Sequence, residues 1–172
     1  IERITSNHNP DFFFMSYSKE ELRVTDFFIV PKHFFVPEII EKRNPLPDAA
    51  QRAGWIGCNI LIDKVPEQGK IAIVSDGQIC NATLVAEKLE KSGRLVIHNI
   101  DNRGWILDIL QCVNAIPNQY FSLNEVYAFE AMLQAKHPQN QNVKPKIRQQ
   151  LQILRDRGFI EFLGNGYYRK AE

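Results

Sequence analysis

The clearest periodicity in the chain lies near its end. Val143, Ile147, Leu151 and Leu154 recur at i, i+4, i+8 and i+11, which puts them on one face of an α-helix. The other faces carry Lys144, Lys146, Arg148, Gln149, Gln152 and Arg155. Gly158 stands where a helix C-cap belongs, since glycine takes positive φ without a Cβ clash. Residues 159–163 and 167–169 then flank Gly164-Asn165-Gly166, a turn between two short strands. A basic helix followed by a β-hairpin predicts the second half of a winged helix-turn-helix. That fold sets one helix in the DNA major groove and lays its wing along the backbone.

The preceding segments complete the plan. Ser122 and Glu125 have capping-box spacing, with Phe121 and Val126 at the staple positions on either side. The helix they open is expected to turn Val126, Phe129 and Leu133 inward. Before it, residues 104–116 predict a helix with Ile106, Ile109, Leu110 and Val113 on one stripe, ended by Pro117. Three helices and a hairpin make a winged-helix domain over residues 102–172.

Residues 1–98 read as mixed α and β structure. The aromatic run at 12–17 predicts a strand buried on both faces. Residues 24–30 predict a second strand, ended by Pro31, and the two form an antiparallel hairpin. A short helical turn is expected around Phe34-Phe35, followed by a Pro37-led segment with Ile39 and Ile40. Further strands are expected at 56–62 and 69–74, the latter turning at Asp76-Gly77. Residues 81–92 predict an amphipathic helix with Leu84, Val85 and Leu89 inward, stopped by Gly93. Residues 98–102 are polar enough for an interdomain linker. The fold class is α+β.

Composition narrows the function classes. With 172 residues, 44% hydrophobic and 24% charged, the chain is of ordinary globular type. No apolar run approaches the ~20 residues that span a bilayer, so membrane function is not expected. No signal peptide opens the chain, and it begins on Ile1, which suggests a fragment. Cys58, Cys80 and Cys112 are odd in number and far apart, and are expected to be buried thiols in a reducing cytoplasm. The net charge of +1 hides an asymmetry. Between Lys136 and Lys170 eight Lys and Arg face only Asp156 and Glu161, a balance of +6, leaving about −5 elsewhere. A local basic patch of this kind is an electrostatic footprint for nucleic acid. His8, His33, His98 and His137 have no ligand spacing, and Ser16 and Ser75 have no partnered base, so neither a metal centre nor a nucleophile is expected among them.

Several stretches resemble the DpnI-like family of methyl-directed type II restriction endonucleases. They are residues 52–60 (RAGWIGCNI) and 146–156 (KIRQQLQILRD), with 9–14 (NPDFFF) and Arg103-Gly104-Trp105 in support. The resemblance spans essentially the whole chain. It implies a partial PD-(D/E)xK-type nuclease domain with a mixed sheet at 1–98, followed by the winged helix. The implied target is duplex GATC carrying N6-methyladenine, with no obligate protein partner. The family also implies a catalytic Mg²⁺ and a structural zinc, both held upstream of the aromatic run. No lysine here has Asp or Glu two residues before it, so the Glu-x-Lys element is missing and no catalytic residue is assigned. The chain by itself is expected to be inactive as a nuclease. A winged-helix transcription regulator with a ligand- or partner-binding first domain is the alternative.

Candidate binding residues follow from the helix faces and the resemblance. Lys144, Lys146, Arg148, Gln149 and Gln152 project from the basic helix, where Arg suits guanine O6/N7 and Gln suits adenine N6/N7. A solvated helix face is the plain alternative. Tyr168, Arg169 and Lys170 on the wing suit phosphates better than bases. The resemblance implies a methyl-sensing role for Trp55, whose flat ring would cover the N6-methyl group. Packing at the start of a core strand is the competing expectation.

Overall fold

The structure is a computed structural model that describes residues 9–171. It divides into two compact units, with the boundary between Ile100 and Asp101. In the first, β1 (Phe12–Ser18) and β2 (Arg23–Val30) form the expected antiparallel hairpin. β3 (Ile40–Lys42) and β4 (Cys58–Ile60) form a separate two-stranded ribbon. β5 (Ile71–Ser75) turns at Asp76-Gly77 into β6 (Gln78–Ile79), giving a four-stranded sheet of order β1-β2-β5-β6. Every described pairing in this unit is antiparallel, where the nuclease class leads one to expect a mixed sheet. Helix α1 (Ala82–Gly93) packs against β5.

The core of this unit gathers around Phe34, Phe35, Ile39, Val65, Ile71 and Leu95. Two single 3₁₀ turns, Lys32–Phe34 and Pro37–Ile39, deliver the aromatic pair into it. His33 is buried beside them, with Nε2 2.8 Å from the Ser92 carbonyl oxygen, which anchors the end of α1.

Four expectations for this unit are corrected. β1 is an edge strand among the described residues; Phe13 and Met15 are exposed and Phe12 and Phe14 only half-buried, so it is partly covered on one face and open on the other. Its unbroken aromatic run hid the two-residue alternation. Leu84 is exposed, and α1 turns Val85 and Leu89 only partly inward, because it covers a narrow strip of sheet. The strand expected at 56–62 is only three residues long, since Ile62–Lys64 turns into a 3₁₀ helix. Cys58 is exposed and Cys80 half-buried. Only Cys112, in the second unit, is buried, and burial pushes its thiol up to about 12, with the neighbouring Asp108 adding to the rise.

The second unit is a winged helix. α2 (Ile100–Ala115) starts within the expected linker, where Asp101 sits favourably in its first turn. It is buried all round from Arg103 to Leu110, which makes it the unit's central element. β7 (Tyr120–Ser122) leads into α3 (Leu123–Tyr127), and α4 (Glu130–Lys136) follows, so the expected second helix is broken near Phe129. α5 (Val143–Asp156) and the hairpin β8 (Ile160–Gly164) and β9 (Tyr167–Lys170) complete the unit. The sheet order β7-β9-β8 gives the wing a third strand.

Local chemistry accounts for each junction. At the start of α3 the Ser122 N–H donates to Glu125 Oε2 at 2.7 Å, and the Glu125 N–H donates to Ser122 Oγ at 3.3 Å. Phe121 and Val126 are both buried as the staple requires. At the end of α5, Phe159 N–H donates to Leu154 O and Gly158 N–H to Arg155 O, each at 2.9 Å, with Gly158 at φ 76°. That is a Schellman motif, and its apolar partners Leu154 and Phe159 are buried. In the wing, Asn165 and Gly166 both take positive φ, as a two-residue hairpin turn demands.

Two measurements check this packing. A Cβ at Gly69 would meet the Phe34 ring at 2.5–2.9 Å, and Phe34 is fully buried with nowhere to move. Gly69→Ala is expected to destabilise the protein by roughly 1–3 kcal/mol in urea unfolding, whereas Gly93→Ala, with nothing within 4 Å, should be neutral or stabilising. The second concerns Glu125, whose carboxyl is held below the usual carboxylate range by the Ser122 backbone N–H and then by the Ser122 hydroxyl. Its contribution is full above the unfolded carboxylate range and is lost as pH falls through the depressed folded value. Ser122→Ala is expected to move the Glu125 titration part of the way back up, as read by NMR. An unmoved titration would mean the box is not formed.

Candidate nucleic-acid interface

The helix that presents the interface is positioned by its apolar stripe. Val143, Ile147, Leu151 and Leu154 are buried against α3, α4 and β8. With that face committed, Lys144, Arg148, Gln149 and Gln152 are exposed and Lys146 half-exposed. Pro145 costs nothing near the start of α5, since first-turn N–H groups have no intrahelical acceptor.

The exposed side chains are not equivalent. Arg148 Nη1 donates to the Tyr127 hydroxyl at 2.7 Å. Lys144 lies 5.5 Å from the Tyr127 ring centroid and 3.4 Å from Glu130 Oε2, at a largely exposed site where such a pair is weak. Lys146 donates to Asn102 Oδ1 at 3.2 Å and lies 6.0 Å from the Trp105 ring centroid. Gln149 forms one wall of a polar concavity with Gln139, Gln141, Asn142 and Lys146. The turn in that concavity is held by Asn142 N–H donating to Asn140 Oδ1 at 2.7 Å and by Gln134 Nε2 donating to the Asn140 carbonyl at 2.9 Å.

Gln152 faces the wing across a notch shared with Arg148, Arg155, Phe162 and Tyr168. Tyr168 is seated by stacking on Phe121, with centroids 5.4 Å apart and planes 15° apart. Burial raises its phenol pKa, and nearby Tyr127 adds to the rise.

The other two wing cations point differently from the sequence expectation. Arg169 Nη2 lies 2.6 Å from Glu161 Oε2 on the neighbouring strand, an exposed pair. Lys170 donates to the Ile116 carbonyl, and burial lowers its pKa. Its ammonium ties the base of the wing to the end of α2.

Sequence reasoning missed three features. Tyr127 organises both Arg148 and Lys144, but a lone tyrosine at the end of a five-residue helix gives no periodic signal. Gln150 is buried, and its Oε1 has no hydrogen-bond partner among the described residues. Asp108 is buried and holds Lys136 Nζ at 2.5 Å and His137 Nε2 at 2.8 Å, while the His137 ring stacks on Trp105 at 4.0 Å. Lys136 is therefore partly committed to the interior, although it counts in the basic patch. His8 lies outside the described residues.

In the first unit, Trp55 is 54% exposed, so the expectation of a core position is overturned. It stands on the loop that continues the β3–β4 ribbon. Arg43 N–H donates to Gly57 O at 3.0 Å, and Leu46 N–H donates to Trp55 O at 2.9 Å. Residues 41–49 and 51–56 are all exposed, with Lys42, Arg43 and Arg52 among them.

No group of three or more His, Cys, Asp or Glu able to hold a metal ion occurs among the described residues. The side chains of the described residues do not fit the Mg²⁺ or zinc centre that the resemblance implies. No helix among the described residues is long and apolar enough to cross a membrane.

Two family models match the chain. The DpnI model, described as the Dam-replacing family, matches residues 1–98, and the DpnI_C model, the Dam-replacing HTH domain, matches residues 101–170. The second match agrees with the winged-helix topology and supports DNA binding by that unit. The chain belongs to the DpnI, Dam-replacing family, whose pairing of a restriction-type domain with a DNA-binding helix-turn-helix it carries.

Proposed function

We propose that this chain recognises duplex GATC carrying N6-methyladenine and serves a methyl-directed type II restriction endonuclease. The observation that carries the reading is the exposed Trp55 ring on a ribbon rather than in a core. A large apolar ring in water gains from covering a methyl group, by up to about 0.8 kcal/mol per buried carbon. Trp55 is the methyl sensor. In the winged helix, α5 enters the major groove, with Arg148 and Gln149 reading base edges and Gln152 beside them. Lys144, Lys146 and Tyr168 meet phosphates, while Arg169 and Lys170 shape the wing and contact the backbone more weakly. The Mg²⁺-dependent centre is supplied by residues other than those of this chain, and so is the zinc site. A bacterial cytoplasm suits the reading, as Cys58, Cys80 and Cys112 are all unpaired thiols.

Three measurements test this. Incubating the purified chain with Mg²⁺ and GATC-methylated plasmid is expected to yield no linear product; product that scales with the protein would place an active site within it. In salt titrations, Lys144→Ala should weaken binding to every duplex and flatten the log–log salt slope by about 0.9. Arg148→Ala or Gln149→Ala should instead cost roughly 1–3 kcal/mol, mainly on the methylated GATC duplex and little on a scrambled one. Equal losses on both duplexes would remove base reading from α5.

A further inference from the structure

Trp55 and Gly57 stand in an unusual relation. A Cβ placed on Gly57 would lie 2.9 Å from Cζ3 and 3.0 Å from Cη2 of the Trp55 indole, and 3.6 Å from Cδ of Arg43. The benzo edge of the indole therefore rests on the Gly57 backbone. Gly57 does not take positive φ, unlike Gly54 at 75°, so its backbone conformation is open to any L-residue. Its carbonyl also accepts the Arg43 N–H, so it occupies a regular place on the ribbon. The turn does not need glycine at this position. The ring does.

Gly69 provides the contrast. There the obstructing ring belongs to Phe34, which is fully buried, so a Cβ forces strain into the core. Trp55 is 54% exposed and has solvent to swing into. A Cβ on Gly57 would displace the indole at little cost to the fold.

We infer that Gly57 is a positioning residue for Trp55: lacking a side chain, it seats the indole against the ribbon before DNA arrives. An exposed tryptophan without such a seat samples several rotamers, and those not aimed at the ligand must be given up on binding. The inference rests on the methyl-sensing role proposed for Trp55 and adds how the ring is held.

The test is a double-mutant cycle in the full 172-residue chain, with Gly57→Ala, Trp55→Ala and the combination. Three quantities are read: the affinity ratio for GATC duplexes with and without N6-methyladenine, the Tm, and acrylamide quenching of tryptophan fluorescence. Trp105 is 5% exposed, so quenching in the folded protein reports on Trp55. Gly57→Ala is expected to raise quenching and leave Tm unchanged. It should also lower the methyl preference by about fourfold, the factor that one buried carbon carries. In the Trp55→Ala background the same change should do nothing further. If Trp55→Ala lowers the preference while Gly57→Ala does not, the seat is irrelevant and the inference fails, with the role of Trp55 intact. If Trp55→Ala leaves the preference unchanged, the methyl-sensing role fails and takes the inference with it. Equal loss from Gly57→Ala in both backgrounds, or a drop in Tm like that of Gly69→Ala, would assign Gly57 to the ribbon fold and overturn the inference.

Discussion

Burial of one apolar stripe governs the winged-helix unit. Val143, Ile147, Leu151 and Leu154 are each at most 4% exposed, and a fully buried aliphatic side chain contributes about 1.5–3 kcal/mol. Once that stripe is committed to α3, α4 and β8, the rotation of α5 about its axis is fixed. Rotation in turn decides which polar residues face out, because side chains three and four apart share a face. The Schellman motif at Gly158 sets where α5 ends, and the capping box at Ser122 sets where α3 begins. Caps and stripe together place the exposed face without any of the exposed polar residues of α5 having to direct it.

The polar residues then divide into those that present charge and those that bind elements together. Asp108 is buried and engages Lys136 and His137, a group of contacts whose disruption would leave a polar group in a poor solvent. Lys170 donates to the carbonyl of Ile116, a buried residue at the end of α2, in a similar structural role. The pairs Lys144–Glu130 and Arg169–Glu161 lie at the surface, where water and salt screen them and a phosphate competes readily. A count of basic residues therefore overstates the cations that the unit offers to DNA. Accessibility, rather than sequence position, separates the two groups.

The first unit uses a different device to display a side chain. Its sheet and the turns at Phe34 and Ile39 form a core from which the β3–β4 ribbon departs with its loop in solvent. Backbone pairing continues past the strands as far as Leu46 and Trp55, so the exposed loop is tied back onto the ribbon. An apolar ring on a solvated arm contributes little to folding, because it leaves its surface in water.

Where a residue's environment depends on near neighbours, the sequence was sufficient. The α5 stripe, the Ser122 box, the Gly158 cap and the Asn165-Gly166 turn are local patterns, and each is found where its spacing places it. The winged-helix plan followed from them. Tertiary structure decided whatever depends on a distant partner. β7 is three residues long and is a strand only because Arg169 and Tyr168 lie opposite Tyr120 and Phe121. The aromatic run of β1 reads as doubly buried, yet it is an edge strand among the described residues, and a strand's place in a sheet is not encoded in its own composition. From its neighbours alone Trp55 fitted the start of a core strand better, and only the family resemblance argued for an accessible ring. The long-range pairing of residues 43–46 with 54–57 settled that it is exposed. Local periodicity fixes which face of an element is apolar, and only the assembled chain fixes what that face meets.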